Sequence, residues 1–115
     1  MALKITNREF GPVIVLALDG RIVLGEETNA LREKVKALLA DGKKKIVLNM
    51  DNATQIDSAG LGTLVGLHSS AKKQDASVRL CNLGSKFKEV LQITKLLTVF
   101  DVSNSEAEAV RSFSN

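Results

Sequence analysis

The sequence predicts an α/β protein: a mixed, mostly parallel β-sheet of four to five strands with about four helices. Three observations carry that expectation. Val13-Ile14-Val15-Leu16-Ala17-Leu18 and Ile46-Val47-Leu48 are uninterrupted apolar runs rich in β-branched residues, as expected of strands covered on both faces. Between them, Ala30, Leu31, Val35, Leu38 and Leu39 recur at three- and four-residue steps, with charged residues mostly on the other side, the pattern of an amphipathic helix. A helix joining two strands in this way is a crossover, so the strands lie parallel and the helix covers a sheet face.

The remaining elements follow in chain order. Leu3 and Ile5 alternate with Lys4 and Thr6, predicting an edge strand over residues 3–9. After Gly11-Pro12 comes the first apolar run, and Asp19-Gly20 reads as a turn. The crossover helix begins at Gly25 or Glu26, where Glu26 and Glu27 complement the helix dipole, and ends at Asp41-Gly42, with Gly42 as a left-handed cap. Lys43-Lys44-Lys45 would complement a helix C-terminus. A strand over Lys45 to Met50 leads into Asp51-Asn52-Ala53-Thr54-Gln55, a polar linker of turn formers. The next helix runs from Ser58 to Lys72 or Lys73, with Leu61, Leu64, Val65, Leu67 and His68 toward one side. Ser77-Val78-Arg79-Leu80-Cys81 alternates as a strand, and Ser85 caps a short helix presenting Phe87, Val90 and Leu91. Leu96, Leu97, Val99 and Phe100 read as a loop and short final strand, before a last helix through Ala107, Val110 and Phe113 capped by Ser103 or Ser105.

Composition narrows the function. The 115 residues fit one domain over 1–115, and 44% hydrophobic with 25% charged residues is ordinary for a soluble globular chain. Aromatic residues are only 3%, with no Trp or Tyr, so the core must be aliphatic and a base-stacking nucleic-acid platform is disfavoured. The net charge of +3 is spread among interleaved acids and bases, a solvated surface and not a DNA-binding stripe; no direct nucleic-acid contact is expected. Cys81 is the only cysteine, so no internal disulfide can form, and a reducing cytoplasm is the simplest home. Its apolar strand setting makes it a small core hydrophobe. The N-terminal Met1-Ala2-Leu3-Lys4-Ile5-Thr6 opens no long apolar segment, so neither export nor membrane insertion is expected.

The organising stretch is Asp57-Ser58-Ala59-Gly60-Leu61-Gly62-Thr63-Leu64-Val65. Ser58 is placed to cap the helix it opens, since a serine oxygen can accept from a first-turn N–H that has no intrahelical partner. The same free amides and the dipole favour an anion there, so a phosphate on Ser58 would be tolerated. Gly60 and Gly62 each cost roughly 0.5–1 kcal/mol inside a helix; two within one turn point to a close approach, either of another molecule or a phosphate to this corner or of the helix to a strand against which the glycines pack. Catalysis fits poorly. The single histidine, His68, is ten positions beyond Ser58, roughly 15 Å along a helix, so the two form no dyad. No Gly-X-Ser-X-Gly elbow or phosphate loop is present, and Gly60-Leu61-Gly62 is too short for a dinucleotide fingerprint. Asp51 and Asp57 are explained by loop solvation and the helix dipole without a metal. The chain reads as a non-enzyme needing neither metal nor cofactor.

Ile56-Asp57-Ser58-Ala59-Gly60-Leu61-Gly62-Thr63-Leu64 resembles the phosphoserine motif of the STAS-domain anti-sigma factor antagonists. Leu18-Asp19-Gly20-Arg21 resembles that family's second strand and turn, Ile46-Val47-Leu48-Asn49 its central strand, and Ile93-Thr94-Lys95-Leu96-Leu97 its late helix-loop segment. In one place the chain departs from the pattern: Val23 stands where many antagonists carry an acid, so contacts made there in relatives do not carry over. The resemblance implies a single STAS domain that, when Ser58 is unphosphorylated, docks on an anti-sigma factor that is itself a serine kinase and thereby frees a sigma factor. Phosphorylation of Ser58 would end that contact, and a serine/threonine phosphatase would restore it. Asp57, Ser58, Ala59, Gly60, Leu61 and Gly62 are the partner-facing residues this implies. The alternative within the same fold is an unphosphorylated adaptor subunit of a membrane transport system.

Overall fold

A computed structural model describes residues 3–113. In chain order they form β1 (Lys4–Phe10), β2 (Val13–Ile22), α1 (Glu26–Ala40), β3 (Lys45–Ile56), α2 (Ser58–Lys73), β4 (Ser77–Cys81) and α3 (Ser85–Ile93). A 3-10 turn at Leu96–Thr98, then β5 (Val102–Ser103) and α4 (Glu106–Ser112), complete the fold. The strands lie in sequence order, β1-β2-β3-β4-β5. β1 is antiparallel to β2, and every later pair is parallel. This is the α/β architecture the apolar runs predict, with β1 as the expected edge strand.

Alternation along the strands divides the interior in two. Ile14, Leu16, Leu18, Ile22, Ile46, Leu48 and Leu80 point into the larger core, under Leu31 and Val35 of α1, Leu64 and Leu67 of α2 and Leu91 of α3. Val13, Val15, Val47 and Cys81 face the opposite way, under Ala109 of α4. Burial on both faces is why β2 and β3 read as unbroken apolar runs. Cys81 is a core hydrophobe whose thiol is pushed up to about 12, foremost by burial, which leaves it inert. The small α4 is fastened by a shared acceptor: Glu106 Oε1 takes Arg8 from β1 and Asn49 from β3, the latter at 2.9 Å.

β2 and β3 extend beyond their expected ends. Asp19-Gly20 does not turn the chain, and Asp51–Gln55 is not a linker; the two tails pair with each other. Asp19 lies opposite Asn52, Gly20 opposite Ala53, Arg21 opposite Gln55 and Ile22 opposite Ile56. Two register shifts interrupt this ladder, and β3 carries the extra residue each time, as in a β-bulge. Asp51, Asn52, Thr54 and Gln55 are exposed, so their side chains mimic a loop while their backbone stays in the sheet. β4 stops opposite Asn49, so among the described residues β3 has a strand neighbour on one side only from Met50 onward.

Helix ends also refine the expectations. Gly42 has φ +84°, and Gly42 and Lys43 donate to the carbonyls of Leu39 and Leu38, closing α1 as a glycine cap does. Lys44 serves a different helix from the one it follows, donating to the carbonyl of Gln74 at the end of α2. Ser105, of the two serines considered, caps α4 by accepting from Glu108 N–H at 3.1 Å. Ser85 does not cap α3: it is the first helical residue, and the cap position belongs to Gly84, which has no side chain to offer. The final strand falls at Val102–Ser103, and the residues before it make the 3-10 turn.

Truncating Leu48, which is fully buried between β2 and β4, to alanine is expected to cost about 2–5 kcal/mol. Truncating Leu24, 76% exposed, should shift stability by no more than about 0.5 kcal/mol. Urea midpoints of the two variants against wild type check both values.

Candidate functional site

The corner where β3 hands over to α2 is built around Asp57. Its backbone is extended, and its carboxylate accepts from Gly60 N–H through Oδ1 at 2.8 Å and from Leu24 N–H through Oδ2 at 3.0 Å. One side chain thus caps α2 and holds the loop that follows β2. Its own N–H donates to Ile22 O at 3.4 Å. The capping role expected of Ser58 therefore belongs to its neighbour, because the helix begins at Ser58 itself, one residue earlier than a serine cap requires. The amides of Leu24 and then Gly60 hold the Asp57 carboxyl below its ordinary value of 3.8, since both bonds favour the ionised form.

Ser58 is left with another status. It is the first residue of α2, it is exposed, and among the described residues its hydroxyl takes no side-chain hydrogen bond. The site lies at the carboxyl end of β3, the edge where open α/β sheets place their functional groups.

The two glycines separate cleanly. A Cβ on Gly60 would meet Ile22 O at 1.9 Å and Ile56 Cγ1 at 2.9 Å. Gly60 is buried, and the molecule that approaches its backbone is this chain's own β2. A Cβ on Gly62, or on Gly66 one turn later, meets nothing within 4 Å. Beside them a cleft of about 310 Å³ runs between α1 and α2, with Arg32 and Lys36 on its α1 wall. Arg32 there donates to Thr63 Oγ1 at 3.2 Å and to Asn29 Oδ1 at 2.9 Å.

Of the six residues singled out by sequence, Ser58 and Gly62 are exposed, Asp57, Ala59 and Leu61 partly so, and Gly60 turns inward. Leu24 was not among them. Its amide is bound to the Asp57 carboxylate while its side chain stays 76% exposed. Only the return of β2 beside β3 brings it to this corner, although a leucine next to a glycine between a strand and a helix is a recognisable local signal. His68 is half-buried, packed edge-to-face on Phe100 with ring centroids 5.5 Å apart.

The STAS-domain family model matches residues 4–109, and the chain belongs to that family. An anti-sigma-B factor antagonist of Bacillus subtilis is 34% identical over 73 residues, 64% of this chain and 66% of that protein. An anti-sigma factor antagonist of Mycobacterium paratuberculosis superposes with a TM-score of 0.86 at 18% identity, covering 98% of this chain and 95% of its own. SpoIIAA superposes in its unphosphorylated form with a TM-score of 0.75 at 17% identity, covering 98% of each chain. The phosphorylated SpoIIAA of Bacillus gives 0.74 at 19%, covering 96% of this chain and 99% of its own. At these identities the superpositions show a shared fold.

Gly60→Ala should destabilise the fold by about 1–3 kcal/mol through its clash with Ile22, whereas Gly62→Ala should stabilise it by about 0.5–1 kcal/mol, having open space and better helix propensity. Chemical denaturation of the pair tests the assignment, which fails if the two shifts share a sign. Asp57 has a depressed carboxyl, so its contribution is present above 3.8 and is lost as pH falls through its lower folded value. Asp57→Asn should therefore melt below wild type at neutral pH, and the two curves should converge in acid.

Proposed function

We propose that this chain is an anti-sigma factor antagonist switched by phosphorylation of Ser58. The observation that carries the reading is the division of labour at the α2 N-terminus. Asp57 does the capping, and Ser58 keeps an exposed hydroxyl free of side-chain partners among the described residues. A kinase can therefore modify the hydroxyl without breaking the cap. The names of the B. subtilis relative and of SpoIIAA, solved with and without phosphate, support the same role.

Unphosphorylated, the surface formed by Leu24, Ser58, Ala59 and the open backbone at Gly62 docks on an anti-sigma factor with serine-kinase activity and displaces its sigma factor. Asp57 and Gly60 act from beneath by holding that surface in shape. The kinase brings ATP, magnesium and the base; this chain contributes the acceptor oxygen and no catalytic group. Phosphorylation adds about −1.5 to −2 charge next to a carboxylate that is itself held ionised. The anion sits at a helix N-terminus and leaves the fold in place, while its desolvation against a partner weakens docking. Moving the complex from 99:1 to 1:99 requires roughly 5.5 kcal/mol of differential affinity, divided among charge, desolvation and clash. A serine/threonine phosphatase resets the switch.

Intact-mass and fragment spectrometry of the protein recovered from its own cell should locate one phosphate on Ser58. Against a kinase-type anti-sigma factor from the same cell, Ser58→Ala should bind without regulation and Ser58→Asp should bind weakly by calorimetry. Equal, wild-type affinity for both variants, with no phosphate in any growth condition, would remove the proposal.

A further inference from the structure

A second concavity lies between the tail of β3 and α3, away from the α1–α2 cleft. It is about 500 Å³, within the usual range of about 300–1,000 Å³ for small-molecule sites. Its apolar wall is formed by Met50, Ala53 and Ile56 from β3 and by Phe87 and Val90 from α3. Neutral polar side chains line both sides, Thr54 and Gln55 on β3 and Ser85 on α3, but its charge is one-sided: Lys86 lines it and, among the described residues, no Asp or Glu does. α3 begins at the same place with Gly84 in the cap position and no side-chain cap, leaving first-turn N–H groups unclaimed. Val90 is 37% exposed at the rim, although it belongs to the apolar face of its helix. The groove therefore offers an apolar strip bordered by Thr54 and Gln55 and is attractive to negative charge at one end.

We infer that this groove binds a small amphipathic anion, an alkyl chain bearing a carboxylate, with the chain against Met50, Ile56, Phe87 and Val90 and the carboxylate at Lys86 and the start of α3. A small molecule fits better than an added peptide strand. The β3 edge that borders the groove is interrupted by two bulges, which bend a strand and spoil it as a template for pairing. Asp51 N–H is moreover already taken by Asn49 Oδ1 at 2.9 Å. The site is separate from Ser58 docking, so either assignment can fail alone.

The test titrates sodium decanoate into the isotopically labelled full chain and follows its amide spectrum. Saturable shifts should concentrate at Ala53, Ile56, Gly84, Phe87 and Val90. Decanol, the same chain without the charge, should bind roughly tenfold more weakly, as should decanoate to Lys86→Gln. Val90→Trp, which fills the groove from its rim, should abolish the shifts while the rest of its spectrum remains folded. Shifts that are absent, unsaturable or scattered over the surface overturn the site on the wild-type chain alone. Equal affinity for decanol and decanoate overturns the anion assignment. An extended acidic peptide that perturbs the β3 edge where decanoate does not would replace the small-molecule site with a peptide site.

Discussion

The contact on which the carboxyl edge of this sheet depends is the approach of α2 to the last residue of β2. Ile22 O lies where a Cβ on residue 60 would be, so only glycine lets the helix come so close. Asp57 then secures the approach from both sides, taking the amide of Gly60 on the helix and that of Leu24 on the loop after β2. Without the first contact the helix would stand away from the strand. Without the second, its N-terminus and the loop would not share one surface.

The arrangement explains how a small domain can carry a modifiable group without risking its fold. The core is aliphatic and lies on both faces of β2 and β3, while Ser58 is exposed. The cap belongs to Asp57 and the close packing to Gly60, which leaves Ser58 with no structural task. Charge placed on its oxygen acts on whatever docks there. The same edge also carries the groove beside α3, where the tail of β3 has passed the end of β4 and keeps β2 as its strand neighbour; one long strand thus serves both places, through Ile56 in the groove and Asp57 at the corner.

Much of this was legible in the residues. The apolar runs of β2 and β3, the helical period of α1, the extent of α2 to Lys73 and the glycine stop at Gly42 all follow from local pattern, because each is fixed by neighbours a few positions away. The misreadings share a cause. Asp19-Gly20 and Asp51–Gln55 carry turn residues yet remain in strands, because their backbone pairs with a partner over thirty positions distant in the chain while their side chains meet water. Ser58 and Asp57 are both good caps in isolation; which one caps depends on where the helix starts, and Ile22, Leu24 and Gly60 settle that.

By itself, then, the sequence determined the α/β class, the order of strands and helices, the aliphatic core and the presence of a serine at the mouth of a helix, since hydrophobic periodicity and capping chemistry act over one or two turns. Tertiary structure alone decided that Gly60 serves the fold while Gly62 faces open space, that Leu24 joins the corner and that Asp57 holds it together. Those outcomes depend on which backbone atom of β2 lies against α2, and chain separation hides such a contact from any local pattern.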